Sequence, residues 1–154
     1  MNELRIPKRR VEVDVFLGDG VERRLAVFLA DAASGHAGPE RVIDLLNDDA
    51  TFLPAIERDA VVFLRRDAIH FVRLVDAEEA PSDPTSPFAT ALAIHVELVG
   101  GRRLGGVVRF SLPPERCRLV DFLESAPTFF RLEEGAAISF VNKGHVARVT
   151  LQGD

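Results

Sequence analysis

A phrase of this chain recurs and sets the size of the unit that must fold. Arg41-Val42-Ile43-Asp44-Leu45-Leu46-Asn47, followed by Thr51, Phe52 and Phe63, returns as Arg118-Leu119-Val120-Asp121-Phe122-Leu123-Glu124 with Thr128, Phe129 and Phe140. Arg41 maps onto Arg118, an offset of 77, and this register holds without a gap from 41–74 to 118–151. A gapless register of that span marks two copies of one small unit. Each copy has about sixty ordered residues, a length at which a chain is marginal when it must bury a core alone. The copies are therefore expected to pack against each other.

Local patterning gives the unit its grammar. Val11, Val13, Val15 and Leu17 alternate with Glu12, Asp14 and Phe16, the period of a half-buried strand. Gly18-Asp19-Gly20 supplies turn chemistry, and residues 24–30 return as a second strand. Residues 31–38 are small and polar, a loop. Pro39-Glu40-Arg41 opens a helix whose stripe is Val42, Leu45 and Leu46, and Asn47-Asp48-Asp49 closes it. Residues 61–64 and 69–75 read as two further strands turned by Arg65-Arg66-Asp67. The second copy repeats this with strands at 92–99 and 103–110, a Gly100-Gly101 hairpin turn and a helix opened by Pro113-Pro114-Glu115. Strands at 137–141 and 145–151 follow, joined by Asn142-Lys143-Gly144. The expected fold is α+β: two pseudo-symmetric ββαββ repeats packed together, mostly antiparallel, with one short helix each. The first spans residues 1–75 and the second 92–154, with a Pro-rich linker at 76–91. Duplication also suggests a fused homodimer of one unit, joined by an isologous contact inside one molecule.

Composition narrows function mostly by exclusion. Eleven Phe stand with no Tyr and no Trp, which disfavours a carbohydrate or nucleic-acid stacking site. The net charge of −5 also argues against a nucleic-acid surface. Arg5, Lys8, Arg9 and Arg10 against Glu3 form a basic start, either a solvated terminus or a local anion site. The single cysteine, Cys117, forms no internal disulfide, and no segment has the length of a signal peptide core or membrane span; the cytoplasm is the expected compartment.

No constellation carries catalysis or a metal. His36, His70, His95 and His145 share no ligand spacing, and in the repeat His145 aligns with Ala68 and His70 with Ala147. Cys117 reads as a small, partly buried residue at a helix start, and Ser34 and Ser111 lack a nucleophile elbow. Arg41 with Asp44, and Arg118 with Asp121, stand at i, i+3 and read as same-face ion pairs with a capping or dipole role. No cofactor is expected.

Two resemblances bear on the reading. Arg41, Asp44, Leu46, Asn47 and Phe52, then Arg118, Asp121, Leu123, Phe129 and Asn142-Lys143-Gly144-His145-Val146, resemble a family of small uncharacterised bacterial domains with R-h-x-D-h-L-N and N-K-x-H motifs. Copy two departs at Glu124 and copy one at Arg65-Arg66-Asp67-Ala68. This resemblance implies a recurrent module and no activity. Arg5-Ile6-Pro7-Lys8-Arg9 is an R-x3-R ahead of a strand pair and is similar to the start of PilZ-type domains. That similarity implies a cyclic di-GMP site at Arg5, Arg9, Arg10, Asp31 and Ser34, although Ser34 comes one residue late and Gly38 lies four residues past it rather than three. The leading expectation is a non-catalytic bacterial adaptor, scaffold or regulator. Its partner is another protein, with a homodimer also open and no nucleic acid or membrane insertion. The alternative is a nucleotide second-messenger sensor.

Overall fold

Val11, Val13 and Val15 bury one side of strand β1 (Lys8–Phe16), which turns through Gly18 and Gly20, both at positive φ, into β2 (Glu22–Ala30). Helix α1 (Val42–Leu46) follows, then β3 (Phe52–Glu57), β4 (Ala60–Arg65) and β5 (Phe71–Leu74). The second half repeats the succession with β6 (Thr90–Leu98), β7 (Arg103–Phe110), α2 (Leu119–Ser125), β8 (Phe129–Glu134), β9 (Ala137–Asn142) and β10 (Val146–Leu151). The computed structural model describes residues 8–31, 38–80, 89–112 and 118–152. The expected helix opening at Pro113-Pro114-Glu115 and the centre of the proline-rich segment lie outside the described residues.

All ten strands join one antiparallel sheet in the order β10-β6-β7-β8-β9-β5-β1-β2-β3-β4. This corrects the expected class: the fold is mainly β, not α+β with ββαββ repeats. The helices are only five and seven residues long, and each half carries a fifth strand directly after its helix. Those strands, β3 and β8, escape sequence patterning for physical reasons. Pro54 sits inside β3, where it has no N–H to give the ladder, and β8 ends in Glu133-Glu134. The start of the expected linker is also built into the fold. Asp76 accepts from Glu78 N at 2.9 Å to cap a short 3₁₀ turn, Ala80 is buried, and Glu79 pairs with Arg9 at 2.6 Å.

The strand order shows that the repeat is complete. Within each half the strands run fifth, first, second, third, fourth. From the helix onward the offset is 77, and upstream it becomes 81. In the first half β5 pairs Val72 with Val15; in the second β10 pairs Val149 with Val96. Val149 answers Val72 at the offset of 77, whereas Val96 answers Val15 at 81. An insertion of four between β2 and α1 accounts for the change and hides the first two strands from a gapless comparison.

The join between halves is not the isologous contact expected of a fused homodimer. Strand β9, the fourth of its copy, pairs with β5, the fifth of the other, with Phe71 opposite Val141, Val72 opposite Phe140 and Arg73 opposite Ser139. Two different edges meet, so the contact is heterologous. Successive residues of a strand face opposite ways, and the halves use this to share the sheet between two cores. Val72, Phe129, Ile138 and Phe140 enter the first core, while Phe71, Phe130, Leu132 and Val141 enter the second, on the opposite face. Strands β5 and β9 are consequently buried on both faces.

Candidate functional site: the strand joint and its free halves

The chemistry of the joint starts at the helix ends. Asp44 and Asp121 accept from the backbone N–H of Arg41 and Arg118, at 2.9 and 3.3 Å, closing the first turns. The expected ion pair forms between Arg118 Nε and Asp121 at 3.0 Å. At the other end a buried cation collects carbonyls of the helix terminus and of the loop and strand that follow it. Arg66 donates to Leu45 O at 3.0 and 3.1 Å, to Phe52 O at 3.1 Å and to Ala50 O. Lys143, at the repeat position of Arg66, reaches Leu123 O and Glu124 O at 3.5 Å and also Ala126 O. The sequence comparison places these two cations in register, but within turns that otherwise differ, which masks their shared task.

The family-like motifs gain a physical meaning here. Asn47, just past α1, clasps the backbone of Phe129 in the other half: its Nδ2 donates to Phe129 O at 3.2 Å and its Oδ1 accepts from Phe129 N at 2.8 Å. Asn142 donates through Nδ2 to Ile69 O at 3.0 Å, and its backbone N–H to His70 O at 2.9 Å. His145 Nε2 meets Asp67 O. The Asn of copy one and the Asn and His of the N-K-x-H run of copy two are thus the polar latch of a single joint.

Two histidines that share no sequence spacing meet there. The His70 and His145 rings stack with centroids 4.0 Å apart. His70 is buried, its Nδ1 has no hydrogen-bond partner among the described residues, and a side chain on Gly18 would come within 2.5 Å of the ring. Burial, and then the charge of His145, push the His70 pKa below its ordinary value. On the second-core side Phe16 stacks on Phe71 at 5.3 Å. Arg102 lies over both rings at 5.1 and 5.5 Å and pairs with Glu22.

The same joint stands half-open at both ends of the sheet. Among the described residues β4 pairs only with β3, and β10 only with β6. Phe52, Val61 and Phe63 are 52%, 65% and 67% exposed, whereas their counterparts Phe129, Ile138 and Phe140 are 1%, 7% and 1% exposed in the joint. The apolar surface that copy two buries against copy one is therefore covered, in copy one, by none of the described residues.

The sequence-expected ligand residues are not gathered. Arg5 and Ser34 lie outside the described residues. Arg9 and Arg10, adjacent on β1, face opposite ways. Arg9 is held by Glu79 at 2.6 Å and reaches Glu40 O at 3.4 Å. Arg10 instead lines an open cleft of about 740 Å³ on the outer face, where acidic Glu12, Glu22 and Glu57 accompany the arginines. Asp31 is exposed at the end of β2. His36 and Cys117 fall outside the described residues, and His95 and Ser111 are exposed. Among the described residues no three His, Cys, Asp or Glu side chains gather as a metal site. Among the described residues no helix is long and apolar enough to cross a membrane. No family model, curated protein or solved structure matches this chain.

Proposed function

We propose that this chain is a non-catalytic protein-interaction module of a bacterial cytoplasm, an adaptor or scaffold that binds protein along its β4 edge. One observation carries the reading: Val61 and Phe63 on the edge strand β4, with Phe52 beside them on β3, present the surface that their repeat counterparts on β9 and β8 bury where β9 pairs with β5. An exposed edge offers backbone donors and acceptors for strand addition, and alternate side chains give it selectivity. Singly exposed apolar residues are ordinary on protein surfaces, but a contiguous group on a free edge marks an interaction site. The second-messenger alternative gains no such support, since Arg9 is engaged by Glu79 and Arg10 faces away from it.

The test is capture from host extract on immobilised chain, with bound protein identified by mass spectrometry. Wild type retains a protein that Phe63→Glu loses and that Val99→Glu, likewise exposed but off the edge, keeps. Identical retention by all three forms, or retention of nothing by any, the chain's own copies included, refutes the reading.

A further inference from the structure

The partner need not be foreign to the chain, because the surface that β4 requires is present on the same molecule. The internal joint has two sides: β8 and β9 insert from one half, while β5 and the end of α1 receive in the other. In each molecule one inserting side, β3–β4, and one receiving side, β10 with α2, stand free of any further strand among the described residues. We infer that this chain associates with further copies of itself head to tail, β4 of one molecule pairing with β10 of the next in the register that β9 and β5 use internally. The inference rests on the β4 edge being an interaction surface and names its occupant.

Three observations support the match. The first is a vacant socket. A cavity of about 340 Å³ beside β10 is lined by Leu123, Glu124, Phe130, Lys143, Val146 and Val149. The repeat counterparts of Leu123, Phe130, Val146 and Val149 are Leu46, Leu53, Ile69 and Val72, which share the first core with Phe129. The socket is therefore the empty counterpart of the one Phe129 fills, and Phe52 is the residue that would fill it.

The second is charge. Within the joint Asn47 grips Phe129, whose cross-strand neighbour is Asn142. The free ends carry Glu124 in place of Asn47, and Arg65 in place of Asn142. Arg65 is the cross-strand neighbour of Phe52. Head-to-tail pairing brings Glu124 to the strand end that carries Arg65, whose exposed pair with Asp67 at 3.3 Å leaves it within the solvent-facing rim of the contact, so the two departures from the motif are of opposite charge. The third is register. Internal pairs Val72–Phe140 and Phe71–Val141 translate into Val149–Phe63 and Arg148–Leu64, with apolar Val120 and Leu151 exposed alongside on the receiving side. The opposite face of the contact is polar: Phe16 and Phe71, which pack into the neighbouring half's core, are replaced by Glu97 and Arg148, joined at 3.0 Å. The intermolecular joint is accordingly weaker than the internal one and reversible. A heterologous contact either closes into a ring or extends as an open chain.

The experiment is light scattering after size exclusion on the purified full chain, from dilute solution to about 100 μM. Wild type should rise above its single-chain mass of 16.9 kDa with concentration. Phe63→Glu and, separately, Val120→Glu/Leu151→Glu should each stay at single-chain mass, since each blocks one side. Mixed in equal amounts, they should form a two-chain species and nothing larger, an outcome peculiar to a head-to-tail joint. Arg65→Glu and Glu124→Arg should each weaken association, and the double exchange should restore it. All five positions are exposed, so folding survives the changes. In a Cys117→Ser background, Phe63→Cys with Val149→Cys should yield disulfide-linked multimers, and Phe63→Cys with Val21→Cys should not. Wild type that remains single-chain with no trapped product, yet retains another protein through β4, overturns self-association and leaves the interaction reading standing. Loss of both results overturns both.

Discussion

Phe63 and Phe140 occupy the same place in the repeat, so replacing each with alanine isolates the contribution of the joint. Phe140 is 1% exposed, packed in the first core with Phe129, Ile138 and Val72, while Phe63 is 67% exposed on the outer side of β4. Truncating a fully buried phenylalanine costs about 3–5 kcal/mol, the transfer energy of the ring plus the cavity left behind. A surface substitution usually stays within about 0.5 kcal/mol. In urea, with a slope of about 2 kcal/mol/M, Phe140→Ala should lower the midpoint by roughly 1.5–2.5 M and Phe63→Ala by under about 0.3 M. Circular dichroism of dilute protein measures both. As concentration rises, wild type should gain midpoint by mass action while Phe63→Ala does not. Equal losses from the two substitutions in dilute solution would show that β4 is covered within the chain, and the argument from the free edge would fail. A negligible loss from Phe140→Ala would mean that the halves do not meet as described.

Other predictions probe the latch. Arg66→Met strips partners from Leu45 O, Ala50 O and Phe52 O and should cost about 2–4 kcal/mol in urea unfolding. Arg66→Lys should cost clearly less, since Lys143 performs the same task. His70 is buried with its pKa lowered, chiefly by desolvation, so the unfolded chain binds its proton more readily. Stability is therefore full above the unfolded value of about 6.5, falls as pH drops through it, and stops falling below the depressed folded value. His70→Gln should flatten that segment of the stability–pH curve. A side chain on Gly106 would meet Glu133 O at 2.5 Å where β7 runs beside β8, so Gly106→Ala should lower the melting temperature, whereas Gly101→Ala, in open turn space at positive φ, should act only through its backbone strain.

The sequence reveals this molecule unevenly, for identifiable reasons. Val11, Val13 and Val15 announce β1 because one face of that strand is buried and the other wet. The strand after each helix does not announce itself: Pro54 breaks the propensity of β3, and β8 buries both faces only at Phe129-Phe130 before it ends in Glu133-Glu134. The duplication is legible from Arg41 onward, but the insertion before α1 conceals it in the first two strands. Arg41–Asp44 and Arg118–Asp121 read correctly as helix-start features. The joint does not read at all from one strand's residues. In the sequence Asn47 reads as a helix end, Asn142 and His145 as a turn motif and His70 as a lone histidine, and only the sheet order brings them together. Their unequal repetition, Asn47 against Glu124 and His145 against Ala68, is the available signal: copies diverge where one edge is covered and the other is not.

Hydrogen exchange of the backbone amides in β4, β9 and β10, followed as a function of protein concentration, reads the joint itself. The claim is that one head-to-tail strand joint is made inside the chain and offered again at its ends. It predicts that β9 is protected at every concentration, and that β4 and β10 exchange quickly when dilute and become protected together when concentrated. Protection of β4 equal to that of β9 in dilute solution, or β4 exchange that never slows at any concentration, would contradict it.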